Sequence, residues 1–64
     1  MITINGEARE AAGQNLEDLL KNEGYVKECV AVGLNGKVIN KINYPGTILK
    51  DGDVLDVFHF MGGG

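Results

Sequence analysis

The sequence predicts an α+β architecture in which one helix covers one face of a sheet. Three observations carry this. Two Asn-Gly pairs, Asn5-Gly6 and Asn35-Gly36, each lie between runs of alternating apolar residues. They mark tight hairpins, because a two-residue type I′ turn needs positive φ at both central positions, which Asn and Gly tolerate best. A single leucine stripe, Leu16, Leu19 and Leu20, falls at i, i+3 and i+4 and defines one amphipathic helix. The final run, residues 54–61, is β-branched or aromatic almost throughout, which is strand composition.

Each element follows in order. Ile2-Thr3-Ile4 places both isoleucines on one face of a first strand, and Glu7-Ala8-Arg9-Glu10 forms the return arm. Ala11-Ala12-Gly13-Gln14 breaks the strand. Asn15, followed three residues later by Asp18, resembles a capping box with Asp in place of Glu, so the helix starts there. Glu17, Asp18 and Lys21 take its wet side, and Gly24 ends it as a C′ glycine. The second hairpin spans residues 29–39, with Val30, Val32 and Leu34 alternating with Ala31 and Gly33 before a short Lys37-Val38-Ile39 arm. Residues 40–50 are less regular. Tyr44-Pro45-Gly46-Thr47 signals a turn, and Asp51-Gly52-Asp53 bends the chain into its last strand. There Asp56 alone reveals the wet side: Leu55 and Val57 then face the core, while Phe58 and Phe60 share the exposed side with Asp56.

Composition excludes several functions. Sixty-four residues fit one domain, here 1–64 with 62–64 as a tail, and a domain this small hides only about 60% of its unfolded surface, leaving little room for an active-site cleft. Nine acidic against six basic residues give a net charge of -3 and a pI near 4.8, the wrong sign for a phosphate-backbone binder. No apolar run approaches the ~20 residues of a membrane span, and no basic, then apolar leader opens the sequence, so a cytoplasmic protein with neither nucleic-acid nor membrane partners is expected. Cys29 is the only cysteine, which rules out an internal disulfide or a multi-thiolate metal site.

Gly62-Gly63-Gly64 directly follows the most apolar segment. No strand or helix propensity explains three glycines, each of which loses more backbone entropy on ordering than any other residue, so a flexible tail is expected. Three residues reach about 10 Å past the last strand, and without side chains they can thread a channel too narrow for other residues. The α-carboxyl, with a pKa of about 3.3 to 3.7, is an anion at neutral pH and a poor electrophile. Conversion to an acyl-adenylate with ATP supplies a leaving group, after which a persulfide sulfur can attack and leave a thiocarboxylate. The bland alternative is a frayed terminus or a cloning scar; its position directly after a patterned domain, with no tag-like sequence around it, argues against that.

The chain as a whole resembles the ThiS-like sulfur carrier proteins of thiamin biosynthesis, relatives of the molybdopterin-synthase small subunit and of ubiquitin. The matching pieces are Ile4-Asn5-Gly6-Glu7, Ala12-Gly13-Gln14 with Leu19-Leu20, Val30-Ala31-Val32 with Leu34-Asn35-Gly36, Asp51-Gly52-Asp53 and Gly63-Gly64. The resemblance implies a ubiquitin-like β-grasp fold, with a mixed four- to five-stranded sheet whose first and last strands are parallel neighbours. It further implies that Gly64 is adenylated and thiocarboxylated, that Gly63 completes the Gly-Gly pair and that Gly62 is a spacer. The implied partners are an E1-like (ThiF-type) adenylating enzyme that uses ATP, a persulfide donor and a thiazole synthase. The chain itself would then be a protein co-substrate, not an enzyme, with no bound cofactor. Many relatives carry a Pro-Arg or similar pair where this chain has Asn40-Lys41. Two alternatives stay open: a molybdopterin-type synthase subunit, whose usual greater length disfavours it, or another sulfur pathway; and a TGS-like binding module with an incidental glycine tail.

Phe58 and Phe60, exposed beside the tail, are the expected docking patch for the activating enzyme. His59 has no paired carboxylate or nucleophile in sequence range, and a structural role is expected. Cys29, beside an apolar strand, is expected to act as a small hydrophobe. Asp51 and Asp53 lack the twelve-residue ligand loop of an EF-hand and are expected to form a turn. Gly33-Leu34-Asn35-Gly36-Lys37 lacks Walker A spacing, so no phosphate cradle is expected.

Overall fold

The computed structural model describes residues 1–60. Their elements are β1 (Ile2–Ile4), β2 (Glu7–Arg9), α1 (Leu16–Asn22), β3 (Val30–Leu34), β4 (Lys37–Ile39) and β5 (Val54–His59), with short 3₁₀ turns at Lys27–Cys29 and Lys41–Asn43. The five strands form one mixed sheet in the order β2-β1-β5-β3-β4. β1 and β5 run parallel, with Thr3 opposite Val54 and Ile4 opposite Leu55, and both outer pairs are antiparallel hairpins. This is the β-grasp arrangement of one helix on a mixed sheet, here with five strands.

Both hairpins turn as the Asn-Gly pairs predict. Asn5 and Gly6 have φ of 50° and 87°, and Asn35 and Gly36 have 51° and 86°, the two positive values of a type I′ turn. The helix is capped at both ends. Asn15 Oδ1 accepts from the Asp18 amide at 2.8 Å, but Asp18 answers the Asn15 side-chain amide (3.2 Å) instead of its backbone, because its shorter arm does not make the usual Glu contact. At the other end the Gly24 amide donates to the Lys21 carbonyl and the Tyr25 amide to the Leu20 carbonyl, the paired bonds of a Schellman motif around a positive-φ glycine.

The core lies between α1 and one sheet face, where Leu16, Leu19 and Leu20 meet Ile2, Ile4, Val30, Val32, Leu55 and Val57. Tyr44 and Leu49, from the irregular stretch between β4 and β5, complete it; Tyr44 is only 1% exposed. Two boundaries differ from expectation. Cys29 belongs to the 3₁₀ turn before β3, and β2 stops at Arg9, which turns its guanidinium to Glu7 and Glu23.

Candidate functional site

β5 carries the site, because the chain runs from it into Gly62-Gly63-Gly64. It is the central strand. Its ladder to β3 runs from Leu34 opposite Leu55 to Val30 opposite His59, whereas its pairing with β1 ends at Ile4 opposite Leu55. Where β1 turns away, the Asn5 side chain continues the pairing: the Val57 amide donates to Asn5 Oδ1 (2.9 Å) and Asn5 Nδ2 donates to the Val57 carbonyl (3.3 Å). Asn35 does the same from the other hairpin, with Oδ1 accepting from the Val54 amide at 2.9 Å.

Alternation along β5 settles its two faces. Leu55 and Val57 are buried, while Val54, Asp56 and Phe58 stand on the open face away from α1. Phe58 is 61% exposed and Phe60, just past the strand, 48%, so both aromatics lie where the Asp56 parity puts them. Phe58 sits opposite Ala31, whose small side chain leaves the ring standing clear of its neighbour. Val38, 82% exposed on edge strand β4, pairs with Gly33 on the same open face. Contiguous apolar, uncovered surface of this kind is where interaction sites are sought. Gly62, Gly63 and Gly64 lie outside the described residues.

The other sequence-derived candidates have local partners. The His59 ring is exposed and rests against Tyr25, centroids 5.3 Å apart, at the rim of the core. Cys29 is half-buried and outside the core, and its carbonyl accepts from the Phe60 amide at 3.1 Å. The Asp51 carboxylate pairs with the Met1 ammonium. The Asp53 carboxylate accepts from the Lys50 amide (2.8 Å) and Asn35 Nδ2 (3.1 Å), which together hold it below the usual carboxylate range. Both aspartates thus serve the turn into β5. Among the described residues no group of three metal-ligating side chains comes together, and no helix is long and apolar enough to cross a membrane.

Of the Asn40-Lys41 pair, where the sequence departs from many relatives, one residue reaches the site. Lys41, in the turn after β4, places its ammonium 5.8 Å from the Phe60 ring centroid. Nineteen residues separate the two, and only the sheet order brings them together.

The sequence model of the ThiS family matches residues 2–64. The chain is 38% identical to the sulfur carrier protein ThiS of Thermus thermophilus over the full length of both. It is 42% identical to a thiazole synthase of Magnetococcus marinus and 38% identical to one of Paramagnetospirillum magneticum, and spans about a fifth of the length of each. Among solved structures it is similar to the crystal structure of the thiamine biosynthesis protein ThiS from Geobacter metallireducens, with a TM-score of 0.78, 36% identity, and coverage of 98% of this chain and 97% of that one. The solution structure of a Geobacter metallireducens thiamine biosynthesis protein gives 0.75 at 34% identity, covering 98% of this chain and 86% of that one. On its sequence across residues 2–64 and on its fold, the chain belongs to the ThiS family.

Proposed function

We propose that this protein is a sulfur carrier whose Gly64 carboxylate is the cargo site, and that it serves the thiazole of thiamin. An E1-like, ThiF-type enzyme would join the carboxylate to ATP, releasing pyrophosphate and leaving an acyl-adenylate. The terminal sulfur of a persulfide then attacks the carbonyl and AMP departs. A thiol cleaves the resulting S–S bond, freeing a thiocarboxylate on Gly64 and a disulfide on the donor side. Gly62 and Gly63 thread the partner's channel, while Phe58 and Phe60 dock against its surface. ATP belongs to the partner, and the carrier holds no cofactor.

The observation that carries the thiamin reading is that two thiazole synthases contain a stretch similar to nearly all of this chain. A domain of this kind built into a thiazole synthase supports that enzyme as the sulfur acceptor, over a molybdopterin synthase. The test is the intact mass after incubation with ATP, a persulfide source and the adenylating enzyme from the same cell. A gain of about 16 Da, one carboxylate oxygen replaced by sulfur, is expected, and it disappears when Gly63 and Gly64 are deleted. No gain, with an enzyme active on another carrier, would leave a binding module instead.

A further inference from the structure

The outermost residue described at the tail end, Phe60, is held on one side only. β1 has already left β5 at Leu55, and beyond the Asn5 bonds to Val57 the only ladder partner of the strand among the described residues is β3. Among the described residues, two ties hold Phe60 itself. The Phe60 amide donates to the Cys29 carbonyl, and the Lys41 ammonium lies over the Phe60 ring while donating to the Glu28 carbonyl at 3.4 Å. Lys41 has a firm base. Asn40 caps its turn through Oδ1 to the Ile42 amide, and the amide of buried Tyr44 donates back to the Lys41 carbonyl. The ring, about half exposed, is thus held from one side by a cation placed by another part of the fold.

We propose that Lys41 is a positioning residue for partner docking that acts through Phe60. It holds the ring in one orientation before the adenylating enzyme arrives, so less side-chain freedom is lost on binding. This rests on the carrier reading above. A cation over an exposed ring and one pre-ordered aromatic each correspond to about a two- to fivefold change in an equilibrium.

The test is a double-mutant cycle on the full chain, read as Kd for the cognate ThiF-type enzyme by calorimetry at fixed salt. Lys41→Met keeps the length and removes the charge; it should weaken binding two- to fivefold and lower Tm by no more than a few degrees. Lys41→Arg should restore native binding. In a Phe60→Ala background, Lys41→Met should have no further effect. In the free protein, the Lys41 ε-protons should shift upfield in the native chain and lose that shift in Phe60→Ala. Equal weakening in both backgrounds would mean that Lys41 touches the enzyme directly, and no weakening would mean it has no role; either overturns the proposal. Failure of the native chain to bind the enzyme would overturn the carrier reading itself, an outcome visible before any variant is compared.

Discussion

Asn5 and Asn35 each perform two tasks. Their backbones adopt the positive φ of a type I′ turn, and their side chains bond the backbone of β5 from opposite sides. The first task is legible in sequence, since Asn-Gly between alternating apolar residues is a local signal. The second is not, because Asn5 and Val57 are 52 residues apart and nothing local says which strand will lie alongside. Asn5→Gly separates the two tasks: glycine keeps the turn conformation and loses both amide bonds. It should lower stability by about 1 to 2 kcal/mol, from the lost bonds and the freer unfolded chain. Urea denaturation with an unchanged m-value measures it. Unchanged stability would show that the side-chain bonds to β5 contribute nothing.

β5 shows how one charged residue can orient an element. Its apolar residues alone give no face, but Asp56 marks the wet side, and the strand period of two then assigns every neighbour. Leu55 at 0% exposure and Phe58 at 61% confirm that assignment. The stretch between β4 and β5 offered no such period. Tyr44 read only as part of a turn signal, yet it is among the largest fully buried side chains; a lone core residue in an irregular segment has no periodic partners to reveal it. Asn40-Lys41 stood out only as a departure from many relatives, and nothing local in the sequence ties Lys41 to the Phe60 ring. The two faces of β5 predict opposite phenotypes. Leu55→Ala should cost about 2 to 5 kcal/mol of stability. Phe58→Ala should change stability by less than about 0.5 kcal/mol while, if the proposed adenylating enzyme docks there, weakening its Kd about tenfold or more, as an interface anchor does. Thermal melts beside binding isotherms distinguish them, and a large loss of stability in Phe58→Ala would show that the ring packs into the fold.

The folded chain leaves 4052 Å² accessible, so about 60% of the unfolded surface is hidden, as expected for this mass. Total stability is then only about 3 to 10 kcal/mol, and small proton linkages become visible in Tm. On the acid side, Asp53 is held low chiefly by the Lys50 amide and Glu17 chiefly by the Lys27 ammonium. Both favour the charged form in the fold, so as pH falls below about 4 the unfolded chain takes up protons first and stability drops. On the alkaline side, burial chiefly pushes the Tyr44 phenol up, and Glu17 raises the Lys27 ammonium. There the unfolded chain loses protons first above about pH 10, and stability drops again. Tm against pH should therefore fall below about pH 4 and above about pH 10. Asp53→Asn keeps an acceptor for Lys50 without titrating, so it should make the acid fall shallower. Tyr44→Phe, measured against its own Tm at neutral pH, should make the alkaline fall shallower, leaving the part due to Lys27. An alkaline limb equally steep without the phenol would mean that the buried tyrosine does not couple folding to pH.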